Sequence, residues 1–309
     1  MTVYSAASAS SFWSLKELAK AVSAGGFPIT YDPYFNSTVL LLNGDDASDA
    51  GQNNTFLDSS SNAHTITRNG NVTQGSFSPF SADDGKWGNY VSADGSRLSS
   101  SSTNIGNFGT ADFSIEFWMY PTSTDLGIVA SVYAGVNSDS VWAIQLNNGA
   151  TNKITFFNSG TAQIHSTAAD TFSQNEWTHV AICREGTTNR LFVNGSLVSS
   201  QTDTTNYVSG ASGIGIFDDL YSSNIYAYIG YLSNLRIVKG TAVYTSEFTP
   251  PTEPLTAISG TSLLTCQSNR FVDNSSNAHS ITATGTPKVV PFSPFPKTTA
   301  YSASTNGGS

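Results

Sequence analysis

The stretch from Ala111 to Pro121, Ala-Asp-Phe-Ser-Ile-Glu-Phe-Trp-Met-Tyr-Pro, leaves a chain few ways to fold. Phe113, Ile115, Phe117 and Met119 recur at every second position, the period of a strand with one face in a core. Asp112, Ser114 and Glu116 take the other face, followed there by Trp118 and Tyr120. A second stretch, Trp177-Thr-His-Val-Ala-Ile-Cys-Arg184, alternates in the same way. After a short polar turn, Arg190-Leu-Phe-Val-Asn-Gly195 runs into an Asn-Gly pair. That pair accepts the positive φ angles of a two-residue hairpin, so Leu191-Phe-Val193 is expected to turn directly into Ser196-Leu-Val198.

The same rhythm continues around these two stretches. Thr38–Leu42, Lys86–Val91, Arg97-Leu98, Ile128–Tyr133, Val141–Leu146, Lys153–Phe157, Ile214–Ile216, Ile225–Ile229, Gly230–Lys239 and Ser262–Cys266 all read as strands. Short strands with Gly and Asn turns between them predict an all-β, antiparallel two-sheet sandwich. Aromatics at 12% supply bulk for a core, and 309 residues suffice for one large sandwich with short ends. We divide the chain into residues 1–35, a sandwich over 36–298, and a polar tail over 299–309. Gly240–Pro254 carries several prolines, which cannot donate to a central strand, so it is expected to cross the surface before the chain re-enters a sheet.

One segment departs from the β pattern. In Ser11–Ala24, Phe12, Leu15, Leu18 and Val22 recur near helical spacing, Ser14 and Glu17 are spaced as in a capping box, and Gly25-Gly26 ends the run. This short amphipathic helix is expected to use its stripe as an anchor or oligomerisation surface, or to pack it on the sandwich.

A repeat brackets the domain. Phe56-Leu-Asp-Ser-Ser-Ser-Asn-Ala-His-Thr-Ile-Thr67 recurs as Phe271-Val-Asp-Asn-Ser-Ser-Asn-Ala-His-Ser-Ile-Thr282, and Phe77-Ser-Pro-Phe80 recurs as Phe292-Ser-Pro-Phe295. Two distant copies are not a solenoid, whose units recur every ~20–50 residues. They are expected to form related strand-turn-strand pieces near one edge of the sandwich.

Several function classes are excluded by charge and motif. A net charge of −9 with only 13 scattered Lys and Arg argues against nucleic acid, because phosphate binding needs clustered cations. No apolar run approaches the ~20 residues of a membrane span. The first residues have no basic n-region before an apolar core, so synthesis in a cytoplasm without a signal peptide is expected, with Cys183 and Cys266 as buried thiols. Paired carboxylates are missing around Glu116, whose neighbours two residues away are Ser114 and Trp118. Gly210-Ala-Ser-Gly-Ile-Gly215 is not a nucleophile elbow, no glycine loop opens the helix, and no Cys or His pair has zinc spacing. No catalytic residue and no cofactor is assigned.

Calcium is the one cation the loops are rich enough in oxygen to hold. Asp45, Asp46 and Asp49 are the candidates, and Asp58 with Asn62 and Asp273 with Asn277 are two further turns that read first as Asx-turns. For a sugar, aromatic platforms beside polar loops are needed; Trp142, Tyr207 and Tyr221 are the candidates chosen from a set that includes Trp87, Tyr133 and Tyr226.

A family resemblance sharpens this reading. Phe-Ser-Ile-Glu-Phe-Trp, Glu-Trp-Thr-His-Val-Ala and Arg-Leu-Phe-Val-Asn-Gly resemble the laminin-G-like branch of the concanavalin-A-like jelly rolls, over most of Val39 to Phe295. Asp-x-Ser-x-Asn-x-His is similar to the opening signature of such sandwiches, although here it stands at both ends. Leu235-Arg-Ile-Val-Lys-Gly240 with the Pro/Thr segment after it resembles the close of laminin-G-like domains in tail, fibre and surface proteins of marine bacteriophages. The resemblance implies a binding or display sandwich on a virion surface, a homo-oligomer joined to other virion proteins through its N-terminal segment, and a cell-surface glycan as partner. A lectin-like module is the alternative, and a glycoside hydrolase ranks below both.

Overall fold

The computed structural model describes residues 37–42, 56–58, 60–67, 69, 77–78, 81–82, 88–91, 96–133, 140–158, 162–208, 213–218, 226–290 and 292–295. The expected helix with Phe12, Leu15, Leu18 and Val22, the acidic loop with Asp45, Asp46 and Asp49, Trp87, Tyr221 and the 299–309 tail lie outside the described residues. The chain divides into two compact units, Met1–Asp45 with Phe56–Gly70, and Asp46–Thr55 with Asn71–Ser309.

Among the described residues the larger unit is all β. Its strands in chain order are β1 (Phe77–Ser78), β2 (Ser81–Ala82), β3 (Gly88–Val91), β4 (Arg97–Ser100), β5 (Phe113–Pro121), β6 (Gly127–Tyr133), β7 (Ser140–Leu146), β8 (Ile154–Asn158) and β9 (Ala162–Ser166). They continue as β10 (Thr178–Glu185), β11 (Thr188–Val193), β12 (Ser196–Thr202), β13 (Ile214–Ile216), β14 (Gly230–Lys239), β15 (Thr261–Thr265), β16 (Thr282–Thr284) and β17 (Lys288–Val290). One large sheet runs β12-β11-β10-β5-β14-β3-β17, with β15 also beside β14; the second runs β16-β4-β13-β6-β7-β8-β9; and β1 and β2 form a two-stranded sheet of their own. Every strand pair is antiparallel. This is a two-sheet jelly-roll sandwich, as the alternation predicts.

The core follows from that alternation. Phe113, Ile115, Phe117 and Met119 of β5 are fully buried with Val180 and Ile182 of β10, and they join Val132, Trp142, Ile144 and Phe156 of the facing sheet in one cluster. Burying each such side chain is worth about 1.5–3 kcal/mol, which makes this layer the main source of cohesion. The Asn194-Gly195 hairpin forms where expected, both residues at positive φ, between β11 and β12. Gly195 has a second role: a Cβ there would overlap the carbonyl of Phe248, whose N–H donates to the Gly195 carbonyl.

Some strands differ from expectation. β9 falls in Ala162-Gln-Ile-His-Ser166, too weakly apolar to stand out. Residues 226–229 form no strand: Ala227 makes a parallel bridge to Ile128, and single backbone bonds join Ile128 to Tyr226, Tyr228 to Phe217 and Thr122 to Ile229. Residues 38–42 belong to no strand among the described residues. The Pro/Thr segment crosses the outer face of the larger sheet as expected, where Ala242, Tyr244 and Phe248 pack on Ala181, Cys183 and Phe192 as a second small core. Both cysteines are free thiols, and burial pushes Cys183 up to about 11 and Cys266 up to about 12.

Candidate binding face

Strand alternation places Ser114, Glu116, Trp118 and Tyr120 of β5 on the outer face of the larger sheet, in register with Arg236, Ser233 and Tyr231 of β14 and with His179 of β10. This face has two halves. Over the first half lies the 240–258 crossing, and Glu116 is fully buried beneath it. Arg236 donates to Glu116 Oε1 from Nε at 2.9 Å and from Nη2 at 2.6 Å, while Tyr244 donates its hydroxyl to Oε2 at 2.9 Å. His179 Nε2 stands 3.5 Å from Oε2. Burial alone would push the Glu116 carboxyl up, but the His179 contact and the Arg236 charge together hold it below its ordinary value. A carboxylate so neutralised and sealed is a fastening for the crossing segment. It has no open side from which to act on a glycosidic bond.

The second half is aromatic and half-exposed. Tyr90 of β3 stacks on Tyr231 with centroids 4.3 Å apart, and Tyr120 meets Tyr231 and Trp177 edge-on, each at 5.6 Å. Phe292 sits among Tyr120, Trp177 and Tyr231 at 5.1, 5.2 and 4.9 Å, and is 39% exposed. Trp118 lies alongside, at 6.1 Å from Phe295. Among the described residues, the indole N–H groups of Trp118 and Trp177 have no acceptor. Gly88 lets the 292 segment lie down on β3, because a Cβ there would overlap the Phe292 carbonyl oxygen. Rings held edge-to-face lock one another while leaving faces and edges to solvent, the arrangement an apolar sugar face stacks on.

Of the residues chosen from the sequence for a glycan, Tyr221 lies outside the described residues, and Trp142 and Tyr207 lie elsewhere. Trp142 and Tyr207 are fully buried: Trp142 donates Nε1–H to the Gly106 carbonyl at 3.0 Å, and Tyr207 donates its hydroxyl to Asp203 at 2.8 Å. Neither presents a ring to solvent: alternation along β7 turns Trp142 into the space between the sheets, and Tyr207, outside the strands, is held inside by its bond to Asp203. Tyr226 is exposed, but away from the strand rows that carry the aromatic half. The sequence did hold a signal for this aromatic cluster, since Trp118 and Tyr120 interrupt an otherwise polar face and Phe292 opens a repeated Phe-Ser-Pro-Phe.

The repeated turns fold alike. Asp273 accepts from the N–H groups of Leu264, Ser275 and His279 and from the Ser275 hydroxyl; Asp58 accepts from those of Leu41, Ser60 and His64 and from the Ser60 hydroxyl. Burial would push the Asp58 carboxyl up, yet these donors hold it well below the usual carboxylate range. Carboxylate oxygens whose lone pairs are taken by these donors are not free to ligate a cation, so these turns are Asx-type clasps, and among the described residues no three His, Cys, Asp or Glu gather as a metal set. Ala63 and Ala278 take φ of 47° and 48° at matching positions.

A further buried network escaped the sequence. His165 of β9 bridges the two sheets, Nδ1 2.9 Å from Ser199 Oγ of β12 and Nε2 3.2 Å from Asn189 Oδ1 of β11. Asn189 donates in turn to Asp203 at 2.8 Å, which fixes its amide so that Nε2 carries the imidazole proton. Arg184 beside them donates to the carbonyls of Thr205, Gly109 and Ala111 and lies over Phe113 and Tyr207. Burial lowers the His165 pKa more than Asn189 and Asp203 raise it.

Residues 93–242 match the model described as the concanavalin A-like lectin/glucanases superfamily. Among solved structures, the chain is similar to a native heptameric SAP-like pentraxin from Limulus polyphemus at 12% identity, covering 67% of this chain and 94% of that one, with a TM-score of 0.48. It is similar to the Ruminococcus gnavus IT-sialidase CBM40 bound to α2,3-sialyllactose at 12% identity, over 50% and 90% of the two chains, with a TM-score of 0.41. Against domains LG4-5 of the mouse laminin α1 chain the identity is 16%, over 54% of this chain and 47% of that one, with a TM-score of 0.36. No curated protein matches the chain.

Proposed function

Because residues 93–242 are a concanavalin A-like, laminin-G-like domain, we propose that this protein is a non-catalytic carbohydrate-binding module whose aromatic half-face receives the sugar. The observation that carries the reading is the cluster of Tyr120, Trp177 and Tyr231 around the exposed Phe292, with Tyr90 stacked on Tyr231 and Trp118 alongside, carried by β3, β5, β14 and the residue just before β10. Pyranose C–H faces stack on such rings, and partly exposed aromatics beside polar turns are the usual make-up of a small-ligand surface. The setting we propose is the surface of a tailed bacteriophage particle, supported by the resemblance of 235–254 to the close of phage laminin-G-like domains. There the N-terminal stripe of Phe12, Leu15, Leu18 and Val22 would attach the module to other virion proteins.

Glycan-array screening of the full chain followed by calorimetry tests the reading. Phe292→Ala and Trp177→Ala are expected to weaken the best glycan at least tenfold while leaving the thermal midpoint within a few degrees. Glycan binding unchanged in both variants, or no glycan bound by the folded wild type, would overturn it.

A further inference from the structure

The repeat extends further than its matching sequence. In the second copy the clasp grips the outer edge of β15: Asp273 accepts the Leu264 N–H at 3.0 Å, and Asn277 donates to the carbonyls of Thr261 and Ser262 at 3.1 and 3.2 Å. The other edge of β15 faces β14, where Leu263 pairs with Ile237 and Thr265 with Leu235. In the first copy the same contacts recur on an apolar segment in the same place, with Asp58 accepting the Leu41 N–H at 2.9 Å and Asn62 donating to the Val39 carbonyl at 3.2 Å. Val39-Leu-Leu-Leu42 thus corresponds to Ser262-Leu-Leu-Thr265, and residues 43–55 are replaced in the second copy by the shorter 266–270.

The two copies differ in what covers them. Leu263 and Leu264 are buried, whereas Val39, Leu40, Leu41 and Leu42 are 71%, 50%, 37% and 49% exposed. Among the described residues, nothing pairs with the backbone of Leu40 or Leu42, the counterparts of the residues that face β14. The β14 position that such a segment occupies is already filled by β15 in the same chain.

We infer that residues 39–42 are a strand held ready for the same segment of a second copy of this chain, pairing antiparallel across a two-fold axis. Three features select that occupant. The open groups lie at Leu40 and Leu42, so setting Leu40 opposite Leu42 of the partner subunit brings open donors and acceptors together twice, with Leu41 facing its own counterpart on the axis. All four side chains are apolar, and cross-strand pairs of such residues are the unit of sheet cohesion. The opposite edge is already capped by Asp58 and Asn62, so pairing stops at two chains instead of growing into a fibre.

The test uses the full chain and does not depend on glycan binding. Sedimentation velocity is expected to give twice the 32.6 kDa chain mass, and Leu40→Asp to raise the dimer dissociation constant at least tenfold without moving the thermal midpoint of the sandwich. Leu41→Cys is expected to give an inter-chain disulfide on a non-reducing gel, because Cα atoms opposed in a non-hydrogen-bonded pair lie about 4.5 Å apart, within disulfide reach. Val39→Cys, more exposed but off the axis, is expected to stay reduced; native Cys183 and Cys266 are buried and do not interfere. A monomeric wild type, a dimer that survives Leu40→Asp, or equal cross-linking of the two cysteine variants would each overturn the inference.

Discussion

Replacing Glu116 by Gln keeps the shape of the side chain and removes its charge, which isolates what the buried carboxylate does. Glu116 and Arg236 have 0% and 7% of their side chains exposed, so water screens the pair little. In the variant the guanidinium keeps its bond to the Thr256 carbonyl but loses its counter-charge, and the Tyr244 hydroxyl loses an ionised acceptor. Breaking a buried pair from one side costs about 3–5 kcal/mol. For a domain of this size about 2–4 °C accompanies each kcal/mol, so the calorimetric midpoint is expected to fall on the order of 10 °C. Glu116→Leu combined with Arg236→Met removes both charges and is expected to recover much of the loss, since a well-packed apolar pair often equals a buried ion pair. The sign with pH is also fixed. The carboxyl lies below its ordinary value in the fold, so its stabilisation is present above that value and is lost as pH falls through the folded one. Acid unfolding should therefore be steeper in the wild type than in Glu116→Gln. A midpoint for Glu116→Gln within 2 °C of wild type, with glycan-binding lost, would refute this account and return Glu116 to the site.

Three other outcomes are expected. Because His165 titrates below its ordinary value of about 6.5 in the fold, the unfolded chain takes up a proton first and stability is lost as pH falls below about 6.5; urea midpoints at pH 7.5 and 5.5 should differ more in the wild type than in His165→Asn. Ala278→Gly relieves a positive φ and should stabilise by up to about 1 kcal/mol, read from chemical denaturation; a net loss would show that the Ala methyl is needed for packing. Gly88→Ala forces the Phe292 backbone off β3, so glycan affinity should fall more than tenfold while the melt shifts modestly.

The sandwich was legible because its determinant is periodic. Alternation in Phe113–Met119 and Thr178–Arg184 and the Asn194-Gly195 pair each fix a face or a register within a few residues, and the folded strands keep them. The aromatic face was not legible for the opposite reason. Trp118, Trp177, Tyr231, Tyr90 and Phe292 meet only through the order β10-β5-β14-β3 and the packing of a segment far along the chain, and no local pattern encodes that order. Trp142 and Tyr207 are aromatics as conspicuous in the sequence as these. What separates them is strand parity, which turns Trp142 inward. Tyr207, outside any strand, is drawn in by its bond to Asp203.

The two repeat copies show how one local solution can serve different neighbours. An edge strand leaves alternate N–H and C=O groups bare, and a sandwich must hide them or invite another chain. Asp273 and Asn277 hide them on β15 with a carboxylate and an amide supplied by the loop that follows, so no further strand is needed on that side. The device depends on the spacing from Asp273 to Asn277 and on an αL residue at Ala278, and it tolerates a change in the length of sequence before it, as 43–55 against 266–270 shows. Because the clasp satisfies only one side, what it produces is set by the other side. Beside β14 it completes a sheet, and at Leu40 and Leu42 the same chemistry leaves an adhesive edge of defined length whose growth is blocked from behind.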